Sequence, residues 1–288
     1  MPNNELVQAV ALALTAGIGW KTIHRLLEHF ETLSDILTAS EKDLQSVPGI
    51  GPKTAAALSA IDLPHVEADL ARFAAQAIGV LTWRAAEYPV QLAGLKDAPL
   101  ALFYRGDLKL SGTQTIAIVG TREATSESLQ MAEALAAEFA VCGWLVISGM
   151  ARGIDTAAHG GALNAGGRTI AVLGCGVNVV YPPENHALAD TIRAHGALLS
   201  EYHPNCKVSP SGLTIRNRII SGLSRATIVI EAGAASGALY AARKAHTQGR
   251  MVFAVNNGSA GNAALLADYA LPAESAAQII QHIDKTPP

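Results

Sequence analysis

The run Ser148-Gly-Met-Ala-Arg-Gly-Ile-Asp155 sets two glycines, an arginine and a carboxylate between Trp144-Leu-Val-Ile147 and a small-residue stretch beginning Thr156-Ala-Ala-His159. The apolar run reads as a buried strand and the stretch after it as a helix, so the glycines fall on a strand-to-helix turn. Glycine lets a backbone approach a ligand closely, and the free N–H groups of a helix start favour an anion. Two readings stand for these residues alone: a phosphate-facing loop, and a tight turn whose glycines serve packing.

Three further strand ends carry similar chemistry. Thr115-Ile-Ala-Ile-Val119 leads into Gly120-Thr121-Arg122, and Thr169-Ile-Ala-Val-Leu173 into Gly174-Cys-Gly176 and Tyr181-Pro-Pro-Glu-Asn185. Ala226-Thr-Ile-Val-Ile230 leads into Glu231-Ala-Gly-Ala-Ala-Ser236-Gly237. Strand ends of one parallel sheet share an edge, so these loops converge on one anion pocket. Arg216-Asn217-Arg218 adds guanidinium forks suited to phosphate. On a helix Arg216 and Arg218 lie about 200° apart, so both face one ligand only near a helix start or in a loop. A solvated helix face is the alternative, and the apolar neighbours Ile219, Ile220 and Leu223 favour phosphate contact.

Several classes are excluded. Gly120-Thr-Arg-Glu-Ala-Thr lacks the second and third glycines of a dinucleotide fingerprint, and no carboxylate follows at the ribose-binding distance. There is no Walker A lysine pattern, nucleophile elbow or HExxH helix. Cys142, Cys175 and Cys206 have neither metal nor CxxC spacing and read as reduced packing residues. No cofactor or metal is expected.

The elements that position these loops alternate. Strands at 79–83, 100–105, 115–119, 144–147, 169–173, 198–200, 226–230 and 251–255 interleave, from the third onward, with helical stretches near 126–141, 153–165, 185–195, 214–223, 236–247 and 273–283. Nearly continuous apolar strands separated by helices imply a Rossmann-like α/β fold, a mostly parallel sheet covered on both faces. Ahead of it Gly17-Ile-Gly-Trp-Lys-Thr22 recurs 32 residues later as Gly49-Ile-Gly51-Pro-Lys53-Thr54. Each copy precedes a helical stretch and resembles a helix-hairpin-helix unit, in which hairpin N–H groups hold a DNA phosphate and a lysine adds charge. Gly49, Gly51, Lys53 and Thr54 are the candidate contacts, and a purely structural bundle is the alternative reading. The expected domains are a small all-α helix-hairpin-helix domain, 1–62, and the Rossmann-like domain, 63–288. Of the 288 residues half are apolar and 16% charged, with a net charge of −3. A polyanion site must therefore be a local basic patch. Without a signal segment or membrane-length run, a cytoplasmic protein is expected.

The α/β part resembles the DNA-processing protein A family (DprA, also called Smf) from about Tyr88 to Ala270. The resemblance rests on Leu102-Phe-Tyr-Arg-Gly106, Ala117-Ile-Val-Gly-Thr-Arg122, the Ser148–Asp155 run, Ile170-Ala-Val-Leu-Gly174, Arg216-Asn-Arg-Ile-Ile220 and Ser236-Gly237. It implies a homodimer without catalytic turnover. Such a protein binds single-stranded DNA and helps load a RecA-type recombinase in natural transformation. It also implies that Gly120, Thr121, Arg122, Ser148, Gly149, Arg152, Gly153, Arg216, Asn217, Arg218, Ser236 and Gly237 receive the DNA backbone, with Asp155 and Glu231 structuring the loops. Departures from the family pattern are Leu213 and Thr214 where an aromatic and a proline usually stand, Pro210 where a basic residue is common, Glu127-Ser128 for Tyr-Gly and Asn256-Asn257 for Pro-Gly. The sequence also ends at Pro288 without the winged-helix tail of many relatives. Stacking on an aromatic contributes roughly 1–3 kcal/mol per base, so Leu213 implies weaker DNA binding. The alternatives are a small-nucleotide sensor and a phosphoribohydrolase-type enzyme, for which Gly233–Tyr240 lacks the required glutamate.

Overall fold

The computed structural model describes residues 4–285. They form two compact units, one of residues 4–103 with 201–203 and the other of 104–200 with 204–285.

The first unit contains α1 (Asn4–Leu14), α2 (Trp20–His29), α3 (Leu33–Thr38), α4 (Glu41–Ser46), α5 (Pro52–Ser59) and α6 (Leu63–Ala75), then β1 (Gly79–Thr82) and α7 (Val90–Ala93); β2 (Ala101–Gly106) begins in it. The repeated hexapeptide is a repeated backbone. Gly17 and Gly49 are both left-handed, at φ 84° and 86°, and two residues on Gly19 and Gly51 precede α2 and α5 as N-caps. Pro52 occupies the first turn of α5, where its missing N–H leaves nothing unpaired. Ile23, Leu26, Ile36, Leu44 and Leu58 are buried in one core that Leu100 joins and against which Trp83 packs. That packing carries the unit beyond residue 62.

The second unit contains β3 (Thr115–Val119), α8 (Ser126–Val141), β4 (Leu145–Ser148), α9 (Ile154–Asn164), β5 (Thr169–Val172), α10 (His186–His195), β6 (Ala197–Ser200), α11 (Pro210–Ile215), α12 (Asn217–Leu223), β7 (Ala226–Val229), α13 (Gly237–Thr247), β8 (Met251–Ala254), α14 (Ala260–Asp268), β9 (Leu271–Pro272) and α15 (Ala276–Lys285). Its strands run β6-β5-β4-β3-β7-β8-β9, every pair parallel, with Ile116 opposite Val146 on one side and Ala226 on the other. Every residue of β3, β4, β5, β6 and β7 is buried, as a sheet covered on both faces requires. From β3 the chain winds outward to β6 and then returns to place β7 on the other flank of β3. The order therefore reverses between β3 and β7, and ligands of such sheets bind beyond the carboxyl ends of the strands at that point.

Two of the differences from the sequence reading bear on the loops around the sheet edge. The helix expected over 214–223 is two helices, because Ser209 caps an earlier turn by accepting from the Gly212 N–H at 3.0 Å and Pro210 tolerates the first position. The segment after β8 contains α14, fixed by Asn262. Its buried amide donates to the carbonyls of Val229, Ile230 and Val255 at 3.1, 2.9 and 2.8 Å, joining the ends of β7 and β8.

Candidate anion-binding site

At the end of β3, Gly120 has no side chain because Ile154 fills that space. The Thr121 N–H donates to the Glu231 carbonyl at 2.8 Å, and the Thr121 carbonyl accepts from the Ile154 N–H at 3.2 Å. The loop is thus tied to the loops after β7 and β4. Glu231 adds a second tie. Its carboxylate accepts from the Thr125 N–H at 2.9 Å, while Thr125 caps α8 through the Ser128 N–H at 3.2 Å. The next residue on this braced loop, Arg122, is exposed, and no hydrogen bond or ion pair engages it among the described residues.

The loop after β4 is held from inside. Ser148 is fully buried and donates to the Ile118 carbonyl at 2.6 Å, so it braces two strands and does not line the cavity. Met150 has a left-handed backbone, φ 59°, and inserts its side chain among Leu173, Ile192 and Leu198. A non-glycine residue there costs about 1–3 kcal/mol, which this burial offsets. Gly153 lies at φ 72° directly against the Arg122 loop. Asp155 accepts from the Ala151 N–H at 3.2 Å and from Arg216 Nη2 at 3.4 Å. Arg216 also donates from Nη1 to the Val172 carbonyl at 2.7 Å and from Nε to the Leu213 carbonyl at 3.3 Å. Its guanidinium fills the place where a Cβ at Gly149 would stand. Gly149 therefore makes room for a side chain of the protein itself. Burial pushes the Asp155 carboxyl up and the Arg216 guanidinium down, and their mutual attraction opposes both shifts.

One turn along α9, His159 is fully buried with Nδ1 2.7 Å from Thr169 Oγ1. Burial first, and the Arg216 charge second, lower its pKa from 6.5 to about 3. A buried neutral histidine takes up its proton only on unfolding, so its contribution to stability is intact above pH 6.5 and lost as pH falls toward 3. Between pH 6.5 and 5 the parent should lose about 2 kcal/mol more than His159→Gln, measured as denaturant melts across that range. Parallel curves would disprove the assignment.

After β5, a Cβ on Gly174 would lie 2.6 Å from the Leu213 nitrogen, so α11 sits directly on the strand end. Arg216 joins α11 to α12 in helical geometry, φ −57° and ψ −23°. Arg216 and Asn217 line the cavity. Arg218, 9% exposed, is absent from its walls. The two arginines expected to share a ligand are thus separated by ordinary helical geometry. After β7, Ser236 caps α13 by accepting from the Ala238 N–H at 3.2 Å, and Asn217 donates to the Gly237 carbonyl at 3.3 Å. The start of α13 opens on the cavity, and no atom stands within 4 Å of a Cβ built on Gly237.

The cavity measures about 690 Å³. Its walls are Gly120, Thr121, Arg122 and Glu123 from the β3 loop, Ala151 and Asp155 from the β4 loop, Leu213, Thr214, Arg216 and Asn217 from the α11–α12 junction, and Gly233 with Ala235–Ala238 from the β7 loop. Val119, Tyr181, Pro210 and Ala241 complete the lining. Arg152 and Gly149 border an adjoining recess, where Arg152 is paired with Glu184. The carboxylates of the cavity wall are Glu123 and Asp155, the latter committed to Arg216 and to its own loop. Among the described residues no cluster of His, Cys, Asp or Glu could hold a metal ion, and no helix is long and apolar enough to cross a membrane. An exposed arginine lining one cavity with a helix start suits a phosphate or another oxyanion. Tyr181, which borders both spaces, was not among the expected contacts; its signal was the Tyr-Pro-Pro-Glu-Asn run at a strand end.

In the first unit, Gly51 accepts at its carbonyl from the Thr54 N–H at 3.0 Å, Lys53 is exposed and Thr54 half-buried. The Arg25 guanidinium of α2 fills the space where a Cβ on Gly49 would stand, bringing a cation to the second hairpin.

Residues 79–284 match the family model described as DNA recombination-mediator protein A, and residues 12–60 that of a SAM-like helix-hairpin-helix tandem. The chain is 40% identical over 215 residues to the DNA processing protein DprA of Bacillus subtilis, covering 74% of this chain and 72% of that protein. It is 35% identical over 263 residues to the protein Smf of Synechocystis, covering 89% of this chain and 66% of that one. Among solved structures, DprA from Streptococcus pneumoniae superposes with a TM-score of 0.84 at 31% identity, over 96% of this chain and 97% of the other. DNA processing protein A from Helicobacter pylori, described for its single-stranded DNA binding mode, superposes with a TM-score of 0.65 at 31% identity, over 72% of this chain and 96% of the other.

Proposed function

We propose, for a chain that belongs to the DNA recombination-mediator protein A family, that the cavity at the β3–β7 switch point receives the phosphodiester backbone of single-stranded DNA. The observation that carries this reading is Arg122, exposed on a braced loop and lining the same cavity as the start of α13. That the Helicobacter pylori relative is described as binding single-stranded DNA supports the choice of ligand. On this reading Arg122, Asn217 and the Gly237 N–H hold phosphate, beside Ser236, which caps α13. Arg216, Gly149, Gly153, Asp155 and Glu231 keep the loops in place, and Arg152 adds charge at the rim. The proposal extends to a cytoplasmic homodimer that passes the strand to a RecA-type recombinase during DNA uptake and recombination. Turnover is not part of the proposal.

Affinity for a single-stranded oligonucleotide should fall with salt, with a log–log slope of about −0.7 per phosphate neutralised. Arg122→Ala should weaken binding roughly tenfold on every sequence and make the slope shallower by about one phosphate's share. Equal affinities of parent and variant at every salt concentration would remove Arg122 from the site. The cavity volume of about 690 Å³ also supports a second reading, a free-nucleotide sensor. Thermal shifts with nucleoside monophosphates, set against shifts with oligonucleotides, discriminate the two.

The same proposal keeps residues 1–62 as a helix-hairpin-helix module, with Gly49, Gly51, Lys53 and Thr54 as its phosphate contacts, and 63–288 as the remainder. Because Leu100 belongs to the core of the first unit, that module is better probed by substituting Lys53 in the whole chain than by truncation.

A further inference from the structure

Four residues border both the cavity and the recess beside it: Arg122, Ala151, Tyr181 and Leu213. A strand leaving the cavity on that side must cross this line. Tyr181 is the one aromatic residue in either wall. Its ring packs against the buried cluster of Met150, Leu173 and Ile192, which fixes it from one side. Among the described residues it has no ring partner and no hydrogen bond, and it is half-buried. A ring that is supported below, unpaired above and set beside an exposed arginine is a platform for a flat apolar group whose neighbour is an anion.

We infer that Tyr181 forms a nucleobase subsite, stacking a base of the strand whose phosphate lies at Arg122, with Leu213 closing the slot. The inference rests on the single-stranded DNA reading above and specifies how bases, rather than phosphates, are held. Stacking uses the π-face common to all bases, so the subsite tolerates any sequence. It also gives the protein a preference for single strands, because bases paired within a duplex do not offer that face.

The test separates base from backbone. Fluorescence anisotropy is measured on the whole chain with an oligodeoxythymidylate and with an abasic oligomer of equal length. Tyr181→Leu keeps an apolar side chain on the buried cluster but removes the ring. It should weaken thymidylate binding roughly 5- to 150-fold and leave abasic binding unchanged. Tyr181→Phe should restore the parent affinity for both. Equal loss on both oligomers would mean that the ring acts through the loop or the backbone contacts, and the subsite would be rejected. It would equally be rejected if Tyr181→Leu bound thymidylate like the parent, or if Tyr181→Phe failed as Tyr181→Leu does. A parent that binds neither oligomer overturns the DNA reading itself, and the subsite with it.

Discussion

Arg216→Ala is expected to destabilise the Rossmann-like unit by about 3–5 kcal/mol, the usual cost of breaking a buried ion pair from one side. The side chains of Arg216 and Asp155 are each 6% exposed, so removing the guanidinium leaves a carboxylate that water cannot reach. The carbonyls of Val172 and Leu213 lose their donors in the same step. For a unit of this size the midpoint of thermal unfolding should fall by roughly 6–20 °C. The deficit should depend on pH with a definite sign. Without Arg216, the strongest influence opposing burial at Asp155 is gone, and its pKa rises further above the unfolded value. The penalty is then full at alkaline pH and shrinks as pH falls through the folded pKa and the carboxyl becomes neutral. A variant that melts within a degree of the parent would show that the pair contributes little. Replacing both partners, Asp155→Leu with Arg216→Met, should recover much of the loss, since no charge is then left buried.

That expectation changes how DNA binding by such variants is interpreted. From sequence, Arg216 and Arg218 stand out as phosphate ligands, and replacing both by alanine is the test that reading calls for. Both are buried, at 5% and 9% exposure, so lost binding in that pair reports a damaged loop as readily as a lost contact. Arg122, exposed and unpaired, separates the two effects.

The alternation of apolar strands and helices made the sheet legible in the sequence, and the glycine-rich strand ends made the site edge legible. The helix-hairpin-helix repeat was equally visible, because Gly17 and Gly49 each need φ > 0 for the same turn. What the sequence could not show is the direction of close approach. Gly149 yields to Arg216, Gly120 to Ile154, and Gly174 to the backbone of Leu213, all within the protein. A glycine set against a ligand and one set against a neighbouring loop have the same one-letter signature, and only the partner's position distinguishes them. Strand order was hidden for a related reason: every strand from β3 to β7 is buried throughout, so nothing in its residues marks its neighbours. Tyr181 stands out in the sequence as part of a strand-end run, but the role of its ring depends on what surrounds it, a property of the fold.

Gly153→Ala should have the second large effect, and it tests whether the loops after β3 and β4 form one structure. Gly153 lies at φ 72° and ψ −125°, outside the left-handed helical well that side chains tolerate, which costs alanine about 1–3 kcal/mol. The new Cβ would also stand 2.5 Å from the Thr121 carbonyl oxygen and 2.8 Å from that of Arg122, both backbone atoms. Relieving that contact adds a further ~1–3 kcal/mol, for a total loss of roughly 2–6 kcal/mol by denaturant melts. The loop that must move carries Arg122, so DNA affinity should fall along with stability even though Gly153 does not border the cavity. Gly237→Ala is the matched control. Its Cβ meets nothing within 4 Å, and its position at the start of α13 faces the cavity. Stability should stay within about 0.5 kcal/mol of the parent, while affinity drops, because the methyl group occupies space the phosphate would use. If Gly153→Ala weakened neither stability nor binding, the two loops would be independent, and the position of Arg122 would need another cause. If Gly237→Ala left affinity intact, the start of α13 would not be the phosphate's seat, and Arg122 would have to hold the strand from the opposite wall.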